Sequence, residues 1–127
     1  HGVAVEVLAA DLTSAAGAAA LRSACPAPDI VVLSGAWPAP QQRGGDVDAA
    51  QWQASLQTML LSQIDILGGY APGMAERGFG RMIAVTSRLI KEPEWELAQP
   101  SVARLGLRRH HPVLTRRRQG QTARPRA

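Results

Sequence analysis

With 127 residues, 46% of them hydrophobic and only five aromatic (Trp37, Trp52, Tyr70, Phe79, Trp95), the chain is sized for one domain or less around an aliphatic core, which excludes wholesale disorder. The lone Cys25 excludes an internal disulfide and a thiolate metal cluster and is read as a small buried residue. The formal charge of +4 is split, residues 1–103 carrying six basic against ten acidic residues and residues 104–127 eight Arg and no acid, so a basic-protein argument applies to the tail alone.

No apolar run approaches the roughly 18 to 20 residues that span a bilayer. His1 to Leu8 lack the basic start and long apolar stretch of a signal peptide, so a cytoplasmic location without membrane partners is expected.

In chain order, Val3 to Leu8 is a short β-branched run and reads as a buried strand, followed by the polar turn Asp11-Leu12-Thr13. Ser14 is placed to cap a helix over the alanine-rich Ala15 to Ala24, which Pro26 and Pro28 stop. Asp29-Ile30-Val31-Val32-Leu33 has four consecutive large aliphatics, the signature of a strand covered on both faces, and runs into Ser34-Gly35-Ala36. Trp37 to Gly45 holds two prolines and two glycines and reads as a loop.

Asp46 or Asp48 then opens a long helix. Trp52, Leu56, Met59, Leu60, Gln63 with Ile64, and Leu67 recur at three and four between Ala49 and Leu67. Gly68 and Gly69 weaken its last turns, Tyr70, Pro72 and Met74 continue its apolar side, and Arg77-Gly78-Phe79-Gly80 ends it. Arg81 to Ser87 reads as a third buried strand with a serine at its carboxyl end. Strands alternating with helices imply parallel pairing in an α/β sheet, where ligands bind outside the carboxyl ends of the strands. Those ends carry Asp11-Leu12-Thr13, Ser34-Gly35-Ala36 and Thr86-Ser87.

Four stretches in this order bear on identity: Asp11-Leu12-Thr13, Asp29-Ile30-Val31-Val32-Leu33-Ser34-Gly35-Ala36, Trp52 through Met59-Leu60 to Pro72-Gly73-Met74, and Gly78-Phe79-Gly80-Arg81-Met82-Ile83-Ala84-Val85-Thr86-Ser87. Over roughly residues 3 to 107 they resemble the short-chain dehydrogenases/reductases, nicotinamide-dependent oxidoreductases on a Rossmann sheet. The resemblance implies a partial Rossmann-like three-layer sandwich over residues 1–107, with parallel strands and helices on both faces. It implies NAD or NADP as cofactor, hydride transfer between a carbonyl and an alcohol, and a small-molecule substrate. Asp11 and Leu12 stand where the family contacts adenine. Ser34, Gly35 and Ala36 stand on its cofactor-binding strand end, with Leu33 and Ser34 replacing family asparagines. Ser87 matches the serine that polarises the carbonyl.

The family also needs a tyrosine as general acid and a lysine that lowers its pKa and holds the ribose. At the usual spacing those places are taken by Pro100 and Arg104, and the family's helix asparagine falls at Met59. Proline donates no proton, and a guanidinium does not shuttle one at neutral pH. A divergent branch replaces the tyrosine-lysine pair with serine and arginine, which makes Ser101 and Arg104 the substitute catalytic candidates.

No Gly-x-x-x-Gly-x-Gly turn precedes Val3, so the chain reads as a truncated piece, inactive by itself. After Leu107 the apolar period vanishes. Residues 108–127 are expected to be a disordered Arg-rich tail, consistent with a reading-frame change or a mispredicted terminus.

Each of these residues also has a plain structural reading. Ser87 could simply end a strand, Asp11 form a turn, and Ser34-Gly35-Ala36 be small to let a helix pack closely. Trp52 and Met59 read as core or dimer contacts. The adjacent His110 and His111 do not share a helix face, and no metal site is expected. The alternative function is a non-catalytic interaction protein that pairs with a second copy through helix 49–67. A nucleic-acid-binding tail is a lesser alternative, since the tail has no aromatic residue to stack on bases.

Overall fold

A computed structural model of the chain describes residues 2–35 and 46–119, with side chains described through His110. The expected loop at Trp37 to Gly45 and the cofactor-site candidate Ala36 lie outside those residues, as do residues 120–127 of the tail.

Helix α1, Ala15–Ala24, starts where the sequence places it: the Ser14 hydroxyl accepts the Gly17 N–H at 3.0 Å, filling one of the donors a helix start leaves open. Strand β1, Ile30–Leu33, follows. Helix α2, Ala49–Leu56, opens on Asp48 with a reciprocal capping box: the Asp48 carboxylate accepts from Gln51 N–H at 2.8 Å, and the Gln51 side chain accepts the Asp48 N–H at 2.9 Å. A π turn, Gln57–Leu61, joins it without a break to α3, Ser62–Glu76. Gly78, at φ +72°, ends that run, with its N–H on the Ala75 carbonyl and the Phe79 N–H on the Met74 carbonyl. This six-to-one and five-to-two pairing needs a left-handed residue, which glycine adopts without a Cβ clash. Strand β2, Arg81–Ala84, follows, then 3-10 turns at Arg88–Ile90 and Trp95–Leu97, and helix α4, Ala98–Gln119.

The sheet has two parallel strands in the described residues, with Ile30 opposite Arg81 and Leu33 opposite Ala84. The ladder runs one step past each end, through Arg81 N–H to Asp29 O and Val85 N–H to Leu33 O at 2.8 Å. Pleating sends Val31, Leu33, Met82 and Ala84 to one face, where they pack with Ile66, Leu67 and Tyr70 of α3, Leu107 of α4 and Leu21 of α1. On the opposite face Ile30, Val32 and Ile83 are half-exposed. The expected α/β architecture is present: parallel strands joined through helices in a partial Rossmann-like fold.

Two expectations are corrected. Val3 to Leu8 forms no strand: it pairs with nothing among the described residues, and Val3, Val5 and Val7 are 77–92% exposed. β-Branched propensity yields a strand only where a neighbour supplies ladder partners and cover. Cys25 is exposed rather than buried, because it ends α1 beside an open groove. Helical backbone continues past Leu107 through Gln119. Leu107 itself is fully buried.

Candidate functional site

The carboxyl ends of β1 and β2 lie side by side because the strands are parallel and in register. Three groups of residues gather around them.

The first is the Asp11 turn. One Asp11 carboxylate oxygen accepts both the Thr13 N–H at 2.9 Å and the Thr13 hydroxyl at 2.7 Å, an Asx turn that leads into the cap of α1. Those bonds favour the charged form, so Thr13 holds the Asp11 carboxyl below its ordinary value. The Gln57 amide donates to the Thr13 carbonyl at 3.1 Å and ties the turn to the π turn. Asp11, Leu12, Ser34 and Gly35 line one open, mostly apolar groove of about 590 Å³, together with β1, Thr58, Ser62 and Gln63. The structure therefore brings together four of the five residues expected to contact a cofactor.

The second group surrounds Gly35. A Cβ there would meet the Gln63 amide nitrogen at 2.0 Å, so any larger residue must displace the Gln63 side chain. Gln63 is 3% exposed and donates to the Met59 carbonyl at 2.8 Å, within the π turn. Thr58 and Ser62 likewise donate their hydroxyls to the carbonyls four residues back, at 2.9 and 2.8 Å. Such back-bonding competes with the helix ladder, and it accompanies the local widening. Met59 is fully buried and belongs to the core.

The third group comes from β2 and α4. Ser87 caps the short turn that follows β2, its hydroxyl accepting the Leu89 N–H at 3.4 Å. It lines a second groove, of about 760 Å³, with Thr86, Arg88, Lys91 and Arg108. Ser101 is buried and donates to the Leu97 carbonyl at 2.7 Å. Arg104, 6% exposed, donates one terminal nitrogen to the Val85 carbonyl at 2.9 Å and the other to the Gly35 carbonyl at 3.0 Å. Burial lowers its pKa. Pro100 is fully buried beside Ser101. Ser87 and the cofactor-site candidates thus face two different grooves, and Ser101 and Arg104 line neither.

Two buried polar atoms in this region have no partner among the described residues, the Gln63 amide oxygen and the Arg104 Nε. Sequence reasoning missed Gln63 as a site residue. Its signal was a glutamine on the apolar side of a regular helix, four residues after Met59.

No protein-family model matches the sequence, and no curated protein matches it. Solved structures do. A short-chain dehydrogenase/reductase family protein superposes with a TM-score of 0.78 at 23% identity, over 85% of this chain and 46% of its own. A metagenomic short-chain oxidoreductase in complex with NADP gives 0.73 at 25% identity, over 90% of this chain and 54% of that one. The fold is that of the short-chain dehydrogenases/reductases. A halohydrin dehalogenase bound to ethyl (2S)-oxiran-2-ylacetate also matches, with a TM-score of 0.67 at 21% identity, over 78% and 40% of the two chains. This fold therefore carries more than one chemistry, and function has to be argued from the site. The chain spans about half the length of the solved proteins it matches.

Proposed function

We propose that residues 1–107 form part of a NAD(P)-dependent oxidoreductase of the short-chain type, acting on a small carbonyl or alcohol substrate in the cytoplasm. The observation that supports this most is the single groove that joins Asp11, Leu12, Ser34 and Gly35 at the carboxyl end of β1, in a chain that superposes on an NADP-bound oxidoreductase.

The nucleotide-side residues fit the cofactor. The Asp11 carboxylate sits in a fixed turn whose bonds favour its charged form, and the hydroxyl-bearing Ser34 is exposed at the groove. When bound, the nicotinamide supplies or takes the hydride. Ser87 carries a hydroxyl at the end of β2 and is the group suited to polarise a carbonyl.

The proton-handling side does not fit. Pro100 has no proton to give, and the Ser101 hydroxyl is committed to Leu97. Tyr70, the chain's one tyrosine, points its hydroxyl at the Leu21 carbonyl 3.3 Å away, and burial pushes its phenol up. On this reading residues 1–127 do not turn over alone, and Arg104 and Ser101 are not proton donors.

The test is consumption of NADPH with a panel of small ketones and aldehydes, by the chain alone and by the chain extended with a Gly-rich strand, turn and helix, each with Ser87→Ala. With the proton taken from solvent, slow activity confined to the extended form and lost in Ser87→Ala is expected. Activity in the unextended chain, or activity in the extended form that survives Ser87→Ala, contradicts the reading.

A second reading, pairing with another copy through helix 49–67, has one observation in its favour: Leu61 is 49% exposed on that helix. Met59, Ile66 and Leu67 are instead buried in the chain's own core.

A further inference from the structure

We propose that Arg104 is a positioning residue: its guanidinium pins the carboxyl end of β1 to that of β2, fixing Gly35 at the edge of one groove and the Val85 to Ser87 segment at the edge of the other. The importance of those grooves rests on the function proposed above; the pin itself does not.

Parallel strands held by four register pairs have little to keep their ends together once the ladder stops. Here its last backbone bond is Val85 N–H to Leu33 O. Two residues beyond Leu33, at Gly35, and at Val85 itself, the carbonyls accept from α4. Arg104 meets both, one terminal nitrogen on Val85 O at 2.9 Å and the other on Gly35 O at 3.0 Å. A guanidinium suits this task because its donors sit in a rigid planar fork. The fork is aimed from a fixed point, since Ala103 and Leu107, flanking it on α4, have no exposed surface.

The same bonds argue against a ligand-holding role. Both terminal nitrogens are engaged by backbone, and the side chain lines neither groove. Among the described residues Arg104 forms no ion pair, so a buried cation is retained for the sake of two neutral carbonyls. That arrangement is costly to desolvate unless the bonds are made, and it leaves the carbonyls unsatisfied when the arginine is removed. Gln63 fills the space against Gly35, so the carbonyl that Arg104 grips belongs to a residue already wedged in place.

Lysine separates the two roles, because its ammonium is a point charge on a flexible stem and cannot span a fork. Arg104→Lys and Arg104→Met in the 127-residue chain are each expected to lower the folded-to-unfolded ratio about tenfold, since both remove at least one charge-assisted bond to a part-buried carbonyl. Amide exchange should accelerate at Val85, next to the pin, more than at Arg81, whose N–H bonds Asp29 O at the far end of the ladder. A wild-type stability and unchanged Val85 exchange in Arg104→Lys would overturn the proposal. So would tighter NADPH binding by Arg104→Lys at unchanged stability. Should neither variant fold, the wild-type guanidinium decides: slowed rotation with separate signals for its two terminal nitrogens is expected, and fully averaged signals refute the pin. Failure of every form to bind NADPH counts against the oxidoreductase reading alone.

Discussion

Gly35→Ala is the substitution whose cost follows most directly from the geometry. The added Cβ would lie 2.0 Å from the Gln63 amide nitrogen and 2.8 Å from its carbonyl carbon. Contacts that short are not tolerated, and of the two partners the glutamine side chain is the one able to move. Moving it breaks the 2.8 Å bond to the Met59 carbonyl inside the π turn, at a site with 3% of the residue exposed. Leaving a buried carbonyl without its donor costs about 1–3 kcal/mol, and displacing a packed side chain adds about 1–3 kcal/mol. A loss of about 2–5 kcal/mol is therefore expected in urea denaturation, read from the midpoint at unchanged slope. Gln63→Ala, combined with Gly35→Ala, makes room for the new methyl, so the double variant should be less destabilised than the sum of the two single ones, by more than about 0.5 kcal/mol. Strictly additive losses, or a Gly35→Ala protein as stable as wild type, would refute the wedge and with it the close approach of α3 to the end of β1.

Other outcomes follow from packing and charge. Leu107→Ala removes a fully buried side chain from the cluster with Leu33, Ile66, Leu67 and Tyr70 and should cost about 2–5 kcal/mol in the same assay. Leu105→Ala, at a position 41% exposed, should cost much less; equal losses would mean that α4 does not dock as described. Thr13 lowers the Asp11 pKa in the folded chain, so the contribution of this carboxylate to stability is present above its ordinary value of 3.8 and is lost as pH falls through the lower folded value. A carboxyl titration followed by NMR should place Asp11 below 3.8 and move it upward in Thr13→Ala; an unshifted Asp11 removes the turn's electrostatic basis. Ser87→Ala, which deletes only the cap on Leu89, should change stability by less than about 1 kcal/mol.

Local signals in the sequence located most elements. The apolar period of residues 49–67, the capping position of Asp48, the glycine at 78 and the aliphatic run 30–33 each act through contacts close in sequence, and each element appears where its signal lies. Val3 to Leu8 carries an equally strong signal and forms nothing, because a strand is a property of a pair. The π turn was illegible: the side-chain bonds of Thr58, Ser62 and Gln63 to carbonyls four residues back are compatible with an ordinary helix in sequence. Ser34-Gly35 follow β1 as its sequence signal implies, and Asp11, whose expected strand is absent, lines the same groove. Arg104 was legible as a replaced lysine, whereas its two carbonyl partners, 19 and 69 residues away in sequence, were not. Ser101 shows the same limit, since its hydroxyl bonds within its own helix turn.

The central claim is that the groove beside β1 forms one side of a dinucleotide site. Its most direct test is a calorimetric titration of NAD and NADP, oxidised and reduced, into the 127-residue chain and into the same chain extended at its amino terminus by a Gly-rich strand, turn and helix. Binding by the extended form alone, weakened by Asp11→Ala, is the predicted result. Binding by neither form would contradict the claim and leave a non-catalytic relative that shares only the fold.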